Sequence, residues 1–286
     1  MKYHFTYENP IDHRIAGLLS EELQRYDIRS EISGLTTLAY PDEKVDVAIH
    51  VGGIVSKKSR NVLKRIGDKK ILVYQGLYHR SSSRKLKFPQ FFHRVYLDLP
   101  YLDATDFRSL YKGNLLWSAL KKVDGAEEDT GIIFVDDFGG SYDRQYNSLK
   151  QKWLQASDQR TLSTVSFQKD FEDAKARVEA SSAVIVSCDF GELVAVALNT
   201  PALRIAKNGL FSKSVVPITD KLLDRAVIPT VGASKTDLIA KELLKILEDH
   251  QYCSGILEDY QKVKEIIGLE PAAREIGRDI TEWCDE

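Results

Sequence analysis

Residues 183–201 read AVIVSCDFGELVAVALNTP and are followed by ALRIA at 202–206, so one short segment holds a strand, a turn, a helix and a second strand. The run AVIVS is typical of a buried strand, and small and apolar residues follow the turn at Gly191. Small side chains let a helix pack closely on a sheet, with its N-terminal amides and dipole at the carboxyl edge of the strands. The segment therefore predicts a parallel α/β unit that binds phosphate or ribose near Asp189, Gly191 and Glu192.

Apolar runs of the same kind alternate with helical patterns along the whole chain. The predicted strands are residues 3–7, 27–32, 45–51, 70–74, 94–99, 131–135, 161–167, 183–187, 201–206 and 226–231. The predicted helices are residues 11–26, 56–66, most of 101–122, 143–156, 170–180, a short helix that ends at 198, 234–250, 255–267 and 271–283. Such alternation forms parallel sheets covered on both faces, with right-handed crossovers. We therefore expect an α/β protein with doubly wound, Rossmann-like sheets.

An acidic stretch near the middle of the chain divides this alternation into two parts. Residues 123–130 read VDGAEEDT and have no apolar face, which is typical of a linker. We expect an N-terminal domain at 1–122 and a C-terminal domain with terminal helices at 131–286. Ligands of such sheets bind beyond the carboxyl ends of the strands, so two facing Rossmann-like domains predict a ligand cleft between them.

The composition is that of a globular protein in a reducing compartment. Of the 286 residues, 43% are hydrophobic and 29% charged, and no apolar run approaches the roughly 20 residues that span a bilayer. Residues 1–8 show no apolar signal-peptide core, and three scattered cysteines are too few for a disulfide framework or a zinc site. We expect a cytoplasmic protein, free or peripheral at the inner membrane, without a transmembrane segment.

The charge is distributed very unevenly. Residues 55–95 contain 12 lysines or arginines and one acid, Asp68, whereas the whole chain has a formal charge of −2. Such asymmetry predicts a polyanionic partner, either anionic lipid or nucleic acid. Within this block, residues 79–94 interleave cations with aromatic rings, which suits a membrane interface as well as DNA phosphates and bases. The cations that we expect to contact this partner are Arg80, Arg84, Lys85, Lys87 and Arg94.

A second glycine-containing turn follows the predicted strand 131–135. Gly139 and Gly140 would let the backbone approach a pyrophosphate, and Ser141 would add a hydrogen-bond donor. The two acids before this turn, at 136 and 137, face opposite ways on an extended chain, so they do not predict a metal site. We predict no metal and no cofactor.

Four further motifs occur in the order in which one enzyme family carries them. They are PIDHRIAGLL at 10–19, KVDVAIH at 44–50, GNLLWSAL at 113–120 and TDKLLDRAVIPT at 219–230. Together with residues 183–201 they resemble glycosyltransferases of the GT-B fold, and among these they look closest to lipid-A-disaccharide synthase. The resemblance implies a hexosyl- or pentosyltransferase that binds a nucleotide-diphosphate sugar in the C-terminal domain and the acceptor in the N-terminal domain.

Sugar transfer needs a base for the acceptor hydroxyl and positive charge or amides for the departing diphosphate. Two residues at the expected edge of the first sheet qualify as the base. His50 ends a predicted strand and titrates near neutral pH, and Asp12 lies on the first loop. Lys207 follows the strand 201–206 and would reach the donor phosphates.

The chain also departs from the family at positions that matter for catalysis. The family has an aspartate turn where this chain has His50 and two glycines, and Val194 and Thr230 stand where it has acids. An arginine-containing turn is replaced by residues 134–141. The acceptor therefore stays open between a lipid-linked sugar, which we favour, and hydroxymethylated DNA bases. A non-catalytic nucleotide- or nucleic-acid-binding protein and a sugar-nucleotide epimerase stay open as well.

Overall fold

The chain forms two compact units. The computed structural model describes residues 1–35, 45–53, 57–75, 89–98, 109–120, 129–135, 143–156, 160–206, 216–268 and 272–286. The first unit combines Met1–Ala119 with Ile267–Glu286, and the second is Leu120–Ile266. Each unit contains its own parallel sheet.

The first unit is built on a sheet in which every described pairing is parallel. Its strands are β1 (Tyr3–Tyr7), β2 (Ser30–Gly34), β3 (Val47–Gly52), β4 (Lys69–Tyr74), β5 (Arg94–Leu97) and β6 (Ser109–Tyr111), in the order β2-β1-β3-β4-β5-β6. Its helices are α1 (Pro10–Gln24), α2 (Lys57–Leu63), α3 (Leu115–Ala119) and α10 (Ala272–Asp285). Strands β1 and β3 are adjacent and almost entirely buried.

The second unit has the same parallel architecture. Its strands are β7 (Asp129–Val135), β8 (Leu162–Val165), β9 (Ser181–Val186), β10 (Ala202–Ala206) and β11 (Thr230–Gly232), in the order β11-β10-β9-β7-β8. Its helices are α4 (Asp143–Ala156), α5 (Phe171–Ala180), α6 (Asp189–Leu198), α7 (Ile218–Leu223), α8 (Thr236–Glu248) and α9 (His250–Ile267). The prediction of two parallel, Rossmann-like α/β domains is confirmed.

Local sequence signals explain where α1 and α6 begin, at the carboxyl edges of the two sheets. Helix α1 starts after Asn9, whose side chain accepts hydrogen bonds from the backbone N–H groups of Ile11 and Asp12, and Pro10 occupies its first turn. In the second unit, a Cβ added at Gly191 would lie 3.0 Å from the Cβ of Val186. Glycine therefore lets the first turn of α6 pack directly on β9.

Several predicted boundaries differ from the structure, and three of these differences change the topology or the division into units. Residues 109–111, predicted within a mostly helical stretch, form strand β6, because Leu110 pairs with Tyr96 at the edge of the sheet. The predicted linker 123–130 overlaps β7, which begins at Asp129; residues 123–128 lie outside the described residues. The predicted C-terminal domain, 131–286, loses residues 267–286 to the first unit.

Helix α10 belongs to the first unit because polar contacts attach it to the sheet. The carboxylate of Asp279 accepts a hydrogen bond from the Tyr96 hydroxyl at 2.5 Å and pairs with Arg94 at 2.8 Å. At the end of the helix, the Lys69 ammonium donates hydrogen bonds to the carbonyls of Trp283 and Cys284. Burial and the bond to Asp279 both raise the pKa of Tyr96, so this phenol remains a neutral donor at every physiological pH.

We predict that Asp279→Ala destabilises the protein by ~2–3 kcal/mol, because it leaves a buried phenol and a partly buried guanidinium without their acceptor. Urea unfolding measures this loss. The control is Glu282→Ala on the exposed side of the same helix, for which we expect a change within about 0.5 kcal/mol. Equal effects of the two substitutions would contradict the assignment of Asp279 as the anchor of α10.

Candidate functional site

Polar side chains converge at the carboxyl edge of the first sheet, where β3 ends and α1 begins. Thr6 on β1 and His50 on β3 are register partners, and the Thr6 hydroxyl lies 3.0 Å from His50 Nδ1. The Asn9 amide donates a hydrogen bond of 2.6 Å to Asp12 Oδ2. Thr6, Asp12 and His50 are all at most 1% exposed. This edge is where ligands bind in parallel sheets.

The side chains of Asp12 and His50 both lie beside Gly52. A Cβ built on Gly52 would lie 3.1 Å from His50 Nε2 and 3.3 Å from Asp12 Oδ2. The glycine has φ +156°, a backbone conformation that residues with side chains rarely adopt. The two residues that the sequence offered as alternative bases therefore lie against the same small space, which a larger residue would fill.

The environment of Asp12 favours its neutral form. Burial raises the pKa of Asp12 well above its usual range, and the nearby charge of Glu8 raises this pKa further. Backbone hydrogen bonds from Glu8 and Asn9 act in the opposite direction but are smaller. A neutral carboxyl group beside an imidazole is an arrangement that can hand a proton to a ligand or take one from it.

Strand β4 ends beside this point. The backbone N–H of Gln75, directly after β4, donates a hydrogen bond of 2.8 Å to the carbonyl of Gly52. The next described residue is Pro89. The predicted partner-binding residues Arg80, Arg84, Lys85 and Lys87 lie outside the described residues.

Arg94 is the one predicted partner-binding cation that the structure describes. Its guanidinium pairs with Asp279 and lies 5.5 Å from the centre of the Trp283 ring. Its side chain is 21% exposed. These contacts attach Arg94 to α10, and its binding of a polyanionic partner stays a prediction.

In the second unit, a buried ionic network lies at the start of α6. Arg204 on β10 pairs with Asp189 at 3.0 Å and with Glu192, which is 0% exposed. Glu192 also accepts hydrogen bonds from the backbone N–H and the hydroxyl of Thr219, at 3.4 and 3.1 Å. Glu192 therefore joins α6, α7 and β10, and its role in donor binding stays a prediction.

The remaining predicted donor-binding residues differ in their placement. Gly191 is buried against Val186 and serves close packing. Asp189 keeps 16% of its side chain exposed at the carboxyl edge of the second sheet. The other predicted contacts lie outside the described residues; these are Gly139, Gly140, Ser141 and Lys207.

The described residues contain neither a metal-binding cluster nor a membrane-spanning helix. No group of three or more His, Cys, Asp or Glu side chains in this part of the chain is arranged to hold a metal ion. None of the helices that the structure describes is both long and apolar enough to cross a bilayer.

Thr6, Asn9, Gly52 and Arg204 were not singled out from the sequence. Thr6 and His50 are 44 positions apart, and only the register of β1 with β3 brings them together. Asn9 carried a usable signal, because asparagine before proline is a common helix N-cap. Arg204 could have drawn attention as a charged residue within the apolar strand ALRIA.

Comparison with solved structures identifies the fold. MnaA of S. aureus, solved with UDP, matches with a TM-score of 0.67 and 11% identity over 99% of this chain and 97% of that one. A UDP-GlcNAc 2-epimerase of Methanocaldococcus jannaschii, in complex with UDP-GlcNAc and UDP, matches with a TM-score of 0.62 and 10% identity. This match covers 99% of this chain and 100% of that one. The glycosyltransferase VinC, in complex with dTDP, matches with a TM-score of 0.52 and 8% identity over the full length of both chains. At these identities the matches establish the fold, which is of the GT-B type.

No protein-family model matches the sequence, and no curated protein does. The resemblance to lipid-A-disaccharide synthase remains a prediction from the motifs.

We predict that Asp12→Asn stabilises the protein at about pH 8 but not at about pH 4. The pKa of Asp12 is raised in the folded state, so the native protein loses stability as pH rises from the unfolded value of 3.8 through the folded value. Asparagine does not titrate and avoids this loss. Thermal unfolding across this range measures it, with ~1 kcal/mol corresponding to ~2–4 °C. A difference in unfolding temperature between the native protein and Asp12→Asn that does not change with pH would contradict this prediction.

We predict that Glu192→Ala destabilises the protein by ~3–5 kcal/mol, because it leaves the buried Arg204 guanidinium without its main partner. The measurement is urea unfolding, with the exposed Glu248→Ala at the end of α8 as the control. If Glu192→Ala and Glu248→Ala lose similar amounts of unfolding free energy, the network does not stabilise the fold.

Proposed function

We propose that this protein is a nucleotide-sugar enzyme, and specifically a glycosyltransferase that moves a sugar from a nucleotide diphosphate to an acceptor hydroxyl. The observation that carries the proposal is the position of Asp12 and His50 at the carboxyl edge of a Rossmann-like sheet, beside Gly52. The GT-B fold supports it, because structures of the same fold were solved with UDP, UDP-GlcNAc or dTDP.

In the proposed reaction, His50 Nε2 takes the proton of the acceptor hydroxyl. The oxygen forms a bond to the anomeric carbon of the sugar, while the bond between that carbon and the diphosphate oxygen breaks. The electron pair leaves with the diphosphate, whose charge is stabilised by backbone amides and the N-terminal dipole of a helix. Neutral Asp12 hydrogen-bonds the reacting hydroxyl and orients it.

The nucleotide part of the donor would bind the second unit. Asp189 lies in the first turn of α6, where its carboxylate is held by Arg204 and is partly exposed. A partly exposed carboxylate in this position can accept hydrogen bonds from ribose hydroxyls. The turn at residues 139–141 and Lys207 remain our candidates for the diphosphate.

The acceptor would be polyanionic, and we favour a lipid-linked sugar over modified DNA. Arg60, Lys64 and Arg65 are exposed on and just after α2, and the Lys64 ammonium lies 6.0 Å from the centre of the Phe91 ring. Cations beside a half-buried aromatic ring suit the phosphate region of a membrane. With this acceptor the enzyme would act in the cytoplasm at the inner membrane surface.

An epimerase is the second candidate, because the epimerase structure matches this chain with a higher TM-score than VinC, 0.62 against 0.52. The two reactions differ in a way that is easy to measure. A transferase consumes the donor only when an acceptor is present, and it releases nucleotide diphosphate. An epimerase changes the sugar without any acceptor.

The test screens nucleotide-diphosphate sugars by thermal shift and then follows the best donor by mass spectrometry, with anionic glycolipid, with hydroxymethylated duplex DNA and without acceptor. Glycosylated lipid is the expected product. Glycosylated DNA would move the acceptor to nucleic acid, and an isomerised sugar without acceptor would favour the epimerase. Binding without any turnover would overturn the enzymatic proposal.

We predict that His50→Gln lowers kcat by ~10²–10⁴-fold, the usual contribution of a general base, with little change in donor affinity. The matched control is His4→Gln. His4 is also a buried histidine, but it lies on β1, and its Nδ1 is 3.5 Å from a carboxylate oxygen of Glu31. The control should keep its kcat. Equal losses in both variants would indicate that His50 contributes to packing and not to proton transfer.

A further inference from the structure

The two ring nitrogens of His50 lie in different surroundings. Nδ1 is 3.0 Å from the hydroxyl of Thr6, on the neighbouring strand of the same sheet. Nε2 lies at the other side of the ring, next to Gly52 and on the same small space as Asp12 Oδ2. One nitrogen therefore contacts the interior of the sheet, and the other lies at its carboxyl edge.

This difference matters because a neutral imidazole carries its proton on only one nitrogen. A hydroxyl can donate or accept, so the pair between Thr6 and His50 permits two arrangements. If the Thr6 hydroxyl donates to Nδ1, the proton is on Nε2, and that nitrogen cannot act as a base. If Nδ1–H donates to the Thr6 oxygen, Nε2 presents a lone pair at the carboxyl edge.

The neighbouring acid distinguishes these arrangements. A charged Asp12 would attract a proton to Nε2, whereas a neutral Asp12 would not. Burial and Glu8 raise the pKa of Asp12 and so favour the neutral carboxyl. A neutral carboxyl group can instead donate its O–H to a lone pair on Nε2, which leaves the ring proton on Nδ1, 3.0 Å from the Thr6 oxygen.

We propose that Thr6 is a positioning residue that fixes the tautomer of His50: it accepts a hydrogen bond from Nδ1–H and so leaves Nε2 as the nitrogen that takes the proton. The use of Nε2 in catalysis rests on the proposed function, but the tautomer itself does not. Thr6 has no direct contact with substrate in this role and acts only through the ring of His50.

The fold makes this role specific to position 6. β1 and β3 pair in parallel register, with Tyr3 opposite Val47 and Tyr7 opposite Val51, so Thr6 is fixed directly beside His50. Thr6 is 0% exposed, so its hydroxyl lies away from the protein surface. A threonine is also compatible with a central strand, because its β-branched side chain suits extended backbone.

The experiment is nitrogen-15 NMR of the histidine side chains in the full-length protein at about pH 8, above the ordinary pKa of an imidazole. His50→Gln assigns the His50 signals by their loss. In the native protein we expect a protonated, pyrrole-type Nδ1 and an unprotonated Nε2. Thr6→Ser keeps the hydroxyl and should keep this pattern. Thr6→Val has nearly the same shape without the hydroxyl and should give mixed or reversed tautomers.

Activity provides the second readout. If the protein is a glycosyltransferase, Thr6→Val should lower kcat by at least about tenfold with a small change in KM, and Thr6→Ser should restore most of it. A protonated Nε2 in the native protein, or a His50 spectrum unchanged by Thr6→Val, would overturn the proposal whether or not any activity is found. If the tautomer pattern is as expected but no donor is consumed, the proposed function fails and the role of Thr6 stands.

Discussion

The parallel, in-register pairing of β1 with β3 is the constraint on which the candidate site depends. Because both strands run in the same direction, their carboxyl ends meet at one edge, and their side chains face the same side at equal positions. Thr6 therefore lies beside His50, and α1 begins at that edge with Asn9 and Asp12 in reach. A slip of one residue would turn His50 to the opposite face of the sheet and separate all of these groups.

Sequence patterns predicted the buried elements well because burial leaves a local signature. The apolar run AVIVS became β9, and helix α4 has the predicted bounds, 143–156. Strand β2 begins later than predicted, at Ser30, because Asp27 adopts φ 60° and the N–H of Ile28 bonds back to Leu23 at the end of α1. Strand β6 has three residues and forms only by pairing with β5, so no local pattern could reveal it.

The candidate site could be predicted only in part. Asp12 and His50 were found because acids and histidines at strand ends are chemically distinctive. Their partners were missed because Thr6 and Gly52 acquire meaning only through contacts between distant strands. The charge pattern includes cations that have internal partners. Arg94 and Lys69 contribute to the basic block of the sequence, but both contact α10 near the C-terminus and are internal to the first unit.

The return of residues 267–286 to the first unit has a consequence for biosynthesis. The second unit is a continuous stretch, Leu120–Ile266, and can fold as soon as it leaves the ribosome. The first unit is translated before the second, but its folding ends only after α10 has been translated. Until then, Tyr96 and Lys69 lack their partners Asp279 and Trp283. During elongation, the nascent first unit exposes the surface that α10 later covers, and chaperones would encounter it in that interval.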